Sequence, residues 1–191
     1  MKEKISKILA THDQVYKNVV KNNINDIEKI VKALIKCYRQ GGKVFFFGNG
    51  GSASDAQHLA TELVCRLKRE RKALPAMALN TNTSLLTAQG NDYGFETVFS
   101  RQIEAFAAKN DVAIGISTSG NSENVLKAIV LAKKLGCVTV GFSGGDGGTL
   151  AKTADLNFIV PSTTTQHIQE MHITAGHIIC ELVEEALAKS S

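Results

Sequence analysis

The chain has 191 residues, is 43% hydrophobic and 21% charged, and carries a formal net charge of +4. That balance suits one soluble globular domain, and no apolar stretch reaches membrane-spanning length. Cys37, Cys65, Cys137 and Cys180 are scattered with no CxxC spacing, which argues against a disulfide frame or a zinc cluster and for core cysteines in a reducing compartment. The N-terminal MKEKISKILATHDQ lacks the continuous apolar run of a secretory leader, so a cytoplasmic protein without a membrane partner is expected.

Apolar residues from Ile5 to Val20 and from Ile27 to Tyr38 recur at helical spacing, so two helices are expected before the first strand. Such a leading pair has to bury its stripe, and packing against the same pair of another copy is one solution. Residues 1–40 are therefore assigned to oligomer packing and 41–191 to an α/β core, together one domain.

Val44 to Phe47 reads as a buried central strand. It runs into Gly48, Asn49, Gly50, Gly51, Ser52, Ala53 and Ser54, a loop whose small residues let backbone amides approach a ligand. Ala56, Leu59, Ala60 and Leu63 then mark a helix, whose N-terminus favours phosphate. A GxGxxA pattern is present, but the next strand ends in Asn80, where a dinucleotide fold needs a carboxylate for the ribose. A P-loop is excluded because no GK[ST] follows the glycines. A tight turn without a ligand is the plain alternative.

The basic run Arg66, Lys68, Arg69, Arg71 and Lys72 reads as a solvated helix end, with a phosphate or carbohydrate contact, in this or a neighbouring subunit, as the alternative; with few aromatics interleaved a nucleic-acid partner is not expected. Pro75 to Leu79 is a second strand. Ser84 to Ala88 and Phe95 to Ala107 are helical pieces separated by Gly90, Asn91, Asp92, Tyr93 and Gly94. Asp111 to Ser117 is a third strand; it ends in Ser117, Thr118, Ser119, Gly120, Asn121 and Ser122 before a helix over 123–135. Strand, small polar loop and helix thus recur in the same order.

Cys137 to Phe142 is a fourth strand closed by a glycine turn at 144–148. Leu156 to Val160 is a fifth, and the last helix runs from about Thr165 to Ala188. The alternation implies an α/β fold with a five-stranded parallel sheet flanked by helices on both faces. The loops after strands one and three then share a crevice.

Two serine-rich loops at strand ends can hold a phosphate monoester with neutral donors and helix dipoles alone; for either loop separately, an ordinary capping role is the alternative. His58 and Glu62 at i and i+4 suit shared metal ligation, a carboxylate orienting an imidazole, or an exposed pair. Gln169, Ile173 and His177 form a row on the last helix, where His177 is either a core histidine or a functional group. His172 faces another way and reads as structural, while His12 and His167 carry no decisive signal.

GNGGSASDAQH with Glu62, GNDYGF at 90–95, ISTSGNS at 116–122 and IQEMH at 168–172 with His177 resemble the bacterial phosphoheptose isomerases, SIS domain proteins with a flavodoxin-like three-layer sandwich. The resemblance covers nearly the whole chain. It implies conversion of sedoheptulose 7-phosphate to D-glycero-D-manno-heptose 7-phosphate, for lipopolysaccharide or capsule, by a cytosolic homotetramer with interfacial active sites. It places Ser52, Ser117, Thr118, Ser119 and Ser122 on the phosphate and Asn49, Gly50, Gly51, Asn91, Asp92 and Gln169 around the sugar. It also makes Glu62 and His177 the proton carriers, with Glu62 close to the substrate. One zinc ion per subunit would be held by His58, Glu62, Gln169 and His177. The chain departs from many relatives at Gln166 and His167, where an acidic residue and an arginine stand, and Arg66 matches a position of proposed importance. Two competing expectations are a scaffold of the same fold that associates with the replication initiator DnaA and a sugar-phosphate sensor that binds without turnover.

Overall fold

The computed structural model describes residues 1–188. Two helices, α1 (Lys2–Asn22) and α2 (Ile24–Arg39), precede β1 (Val44–Gly48) and α3 (Gly51–Val64). After β2 (Ala76–Ala78) come α4 (Thr83–Tyr93), a 3-10 turn (Phe95–Thr97) and α5 (Ser100–Phe106). The chain continues through β3 (Val112–Ile116), α6 (Glu123–Lys134), β4 (Val138–Gly144), α7 (Gly148–Thr153), β5 (Leu156–Val160) and α8 (Thr165–Ala188). The five strands form one parallel sheet, as expected, and their order is β2-β1-β3-β4-β5.

Alternation along each strand divides the core between the two faces of this sheet. Val44 and Phe46 of β1 and Ile114 of β3 pack against α1, α2, α3 and α8, whereas Phe45, Phe47 and Ala113 pack against α5 and α6. Every residue of β1 and β3 is buried, which is why both strands read as unbroken apolar runs. In register, Gly48 of β1 lies beside Ile116 of β3, and Ile116 beside Phe142 of β4, so the carboxyl ends of these strands finish level.

The leading helices divide their labour. Ile27, Ile30, Val31 and Leu34 of α2 are buried on the sheet of their own chain, so this stripe needs no second copy. In α1 only Val15 and Val19 are buried, and Ile5, Ile8, Leu9, Tyr16 and Val20 remain exposed.

Two expectations about local structure are corrected. Residues 90–93 do not separate two helices; they are the last turn of α4. Asn82 caps that helix by accepting the Leu85 amide at 3.0 Å, and it continues through Gly90 until Gly94 turns out with φ 93°. One interior glycine costs a helix only about 1 kcal/mol against alanine, which the rest of the segment outweighs. The expected helix over 95–107 is likewise broken, at Val98 and Phe99, and the glycine turn after β4 leads into the short helix α7. Among the described residues no helix is long and apolar enough to cross a membrane.

Candidate active site

The strand order places β2 on one side of β1 and β3 on the other, so the connections leaving β1 and β3 diverge and open a crevice at their carboxyl ends. The first wall is the turn from β1 into α3. Gly48 closes it: a side chain there would meet the Ile116 carbonyl oxygen at 2.7 Å and Ser52 Cβ at 2.8 Å. The Ser52 amide donates to the Asn49 carbonyl and the Ala53 amide to that of Gly50, both at 3.0 Å, which winds the loop into the helix. Gly50 has φ 55°, and Ser52 is buried at the base of the turn.

The second wall is the loop after β3. Ser117 Oγ lies 2.9 Å from Ser122 Oγ and 3.5 Å from Ser119 Oγ, so three of the expected phosphate-holding hydroxyls converge. Ser122 stands at the N-cap of α6 with no side-chain capping bond, its hydroxyl turned to Ser117 instead. Gly120, at φ 65°, packs so tightly on the loop after β4 that a Cβ would collide with the Gly147 carbonyl oxygen, and its own carbonyl accepts the Leu150 amide at 2.9 Å. Thr118 and Ser119 face a cavity of about 240 Å³ shared with Gly145, Asp146, Ser162 and Thr165. The two walls are tied by a reciprocal amide pair: Asn49 Nδ2 donates to Asn124 Oδ1 and Asn124 Nδ2 to Asn49 Oδ1, each at 2.9 Å.

Helices α3 and α8 run side by side in the same direction. Gln169 lies over Gly51, His177 over His58, and Gly176 under Leu59. Gly176 permits this approach, because a Cβ there would stand 2.5 Å from Leu59 Cδ2. His58 Nε2 is consequently 3.0 Å from Glu62 Oε1 and 3.0 Å from His177 Nε2. His177 is half-buried and faces this cluster, which decides between the two readings of it. A ring nitrogen has one in-plane position, holding either a hydrogen or a lone pair, so His58 Nε2 cannot serve both neighbours with full hydrogen bonds. Two imidazoles and a carboxylate converging within 4.8 Å are a donor set that fits a divalent cation. The fourth expected ligand, Gln169, lies apart from these three, its amide against Gly51 two turns up α3. Asn91 and Asp92 bond to each other at 2.8 Å on the exposed end of α4.

Several neighbouring groups were not singled out by sequence. Burial pushes the Asp55 carboxyl, one turn before His58, up to about 6, with the His58 charge pulling the other way. Asn124 is buried and holds Asn49; the only sequence signal for it was its place just after the serine loop. Most consequential is the end of α3. There the basic run is not simply a solvated helix end: the Arg71 side chain is only 3% exposed, donates to the carbonyls of Glu62 (2.9 Å) and Cys65 (3.2 Å), and pairs with Glu184 at 3.4 Å. Glu184 in turn accepts the amides of Leu67, Lys68 and Arg69 at 2.8 to 3.0 Å. Arg66, by contrast, is an exposed ion pair with Glu70. His172 is structural as expected: its Nε2 lies 3.0 Å from the Ser143 carbonyl, and burial lowers its pKa to about 4.

A crevice lined by two serine-rich loops at the switch point of a doubly wound sheet, beside a His–Glu–His cluster, is the arrangement expected of a sugar-phosphate protein. Residues 9–144 match the SIS domain family. A phosphoheptose isomerase of Aquifex aeolicus is 52% identical over 191 residues, covering 100% of both chains. The solved structure of phosphoheptose isomerase from Neisseria gonorrhoeae superposes with a TM-score of 0.91 at 37% identity, covering 96% of this chain and 98% of that one. The corresponding structure from Francisella tularensis gives 0.93 at 34% identity, covering 96% and 97%. The chain belongs to the SIS domain family, among its phosphoheptose isomerases.

Proposed function

We propose that the protein is an aldose–ketose isomerase converting sedoheptulose 7-phosphate to D-glycero-D-manno-heptose 7-phosphate through an enediol. The observation that carries this reading is that one helix, α3, bears both a serine turn suited to a phosphate and the cluster suited to proton transfer. Ser52 stands in the first turn of α3, and His58 and Glu62 follow along it, meeting His177. Ser52, Ser117, Thr118, Ser119 and Ser122 hold the phosphate with hydroxyls and loop amides. Asn49, Gly50, Gly51, Asn91, Asp92 and Gln169 orient the sugar.

Glu62 takes the proton from C1 while the C2 carbonyl oxygen gains one from His177, leaving a C1–C2 double bond. The C1 hydroxyl then returns a proton to His177 as the aldehyde forms, and Glu62 delivers its proton to C2. The step balances without an electron acceptor. A zinc ion, one per subunit, would be held by His58, Glu62 and His177, whose ligand atoms converge, with Gln169 completing the set only if its side chain swings down from Gly51; the ion would supply polarisation of the substrate oxygens.

The proposal extends to the assembly and its setting: the whole chain, 1–191, as one SIS unit, in a cytoplasmic homotetramer with interfacial sites, making heptose for lipopolysaccharide or capsule. Residues 189–191 lie outside the described residues. Support for assembly comes from the exposed apolar residues Ile5, Ile8 and Leu9 on α1 and Ile178 and Leu182 on α8. The catalytic assignment is tested by kinetics of Glu62→Gln and His177→Ala. Each is expected to lower kcat by about 10²–10⁴-fold while sugar-phosphate binding persists. Turnover near the unsubstituted rate in either variant would overturn that residue's role.

A further inference from the structure

A second constellation of ligating side chains lies outside the crevice. His12, near the middle of α1, and His167 and Glu170, one turn apart on α8, bring their ligand atoms within 4.8 Å of one another. His12 Nδ1 is 3.1 Å and His167 Nδ1 3.0 Å from the same carboxylate atom, Glu170 Oε2. The two rings stand nearly perpendicular, at 84°, with centroids 5.9 Å apart. His167 is ten residues before His177, about 15 Å along the helix, so this group is separate from the catalytic cluster.

We propose that His12, His167 and Glu170 form a second divalent-cation site that clasps α1 to α8. A carboxylate has about four lone-pair positions on two oxygens, and two hydrogen-bond donors gain most by spreading over them. Here both rings address one oxygen, through the same ring nitrogen, from two helices far apart in sequence. Two imidazoles and a carboxylate select a first-row ion of the zinc, cobalt or nickel type over magnesium or calcium. His167 is buried, while the side chains of His12 and Glu170 are 35% and 46% exposed, so the cation has a path in and positions left for water. The clasp has a mechanical consequence. The buried residues of α1, Val15 and Val19, both follow His12, so the clasp extends the anchored part of the helix back to its middle.

The test is zinc stoichiometry of the full chain, read by competition with a chromophoric chelator, for the unsubstituted protein, His12→Ala, His167→Gln and the double variant His58→Ala/His177→Ala. Two ions per chain are expected, falling to one in each of the three. Zinc should also raise the Tm of the double variant, and this increment should vanish when His12→Ala is added. If the catalytic cluster holds no ion, one zinc remains, lost with His12→Ala and kept in the double variant, and the second site still stands. Zinc binding unchanged by both His12→Ala and His167→Gln would overturn the proposal and leave two hydrogen bonds to Glu170.

Discussion

Asn124 and Glu184 act on the site by holding other residues, and each role can be separated from simple stability. Loss of the Asn124 amide leaves Asn49 without either of its reciprocal bonds at 2.9 Å. Asn124→Ala should cost about 1–3 kcal/mol of stability. Its kinetic signature should be a raised KM with a smaller change in kcat, because the proposed role of Asn49 is to orient the sugar and not to move a proton. For Glu184, burial raises the carboxyl pKa, but the amides of Lys68, Leu67 and Arg69 and the Arg71 charge outweigh it, so the folded pKa lies below the ordinary 4.5. A depressed folded pKa contributes stability that is fully present above the unfolded value and lost as pH falls through the folded one. Glu184→Gln strands the buried Arg71 charge and should destabilise by about 3–5 kcal/mol at pH 7 in urea unfolding. The gap from the unsubstituted protein should narrow as pH drops below about 4.5, where the native carboxylate is itself being protonated.

At the scale of elements, the site depends on how closely α3 and α8 approach. Gly176→Val keeps every catalytic group but drives a side chain into Leu59, where even a Cβ would stand 2.5 Å from Cδ2. Overpacking of this kind costs about 1–3 kcal/mol and should push His177 off His58. Melting and steady-state kinetics together should show a folded protein whose kcat falls severalfold or more. This packing explains what was legible in the sequence. Both serine loops could be read because strand, small-residue loop and helix is a local pattern, and each loop stands where that pattern put it. His58 and Glu62 could be paired because i and i+4 is also local. The meeting of His177 with His58, 119 residues apart, depends on a helix packing that no spacing encodes. The Arg71–Glu184 pair was hidden for the same reason: a run of basic residues looks solvated until a distant carboxylate is known to reach it. The helical turn at 90–93 was misjudged because glycine and asparagine signal a break locally, while the actual stop is Gly94.

For the whole molecule, the parallel sheet follows from alternating elements while its strand order does not, and the unburied half of α1 is the feature that points beyond one chain. Light scattering should report a tetramer. If the sites lie at interfaces as proposed, replacing Ile8 and Leu9 by aspartate should give smaller species with lost turnover; a fully active monomer would contradict that arrangement. Isomerisation of a seven-carbon sugar phosphate in this crevice by proton movement is checked by proton NMR of sedoheptulose 7-phosphate with the zinc-supplemented protein in deuterated water. The aldose heptose 7-phosphate should accumulate with solvent deuterium at C2, and neither product nor label should form with Glu62→Gln. A folded protein that binds the sugar phosphate yet never forms the aldose would contradict it and leave a sensor or scaffold in place of the enzyme.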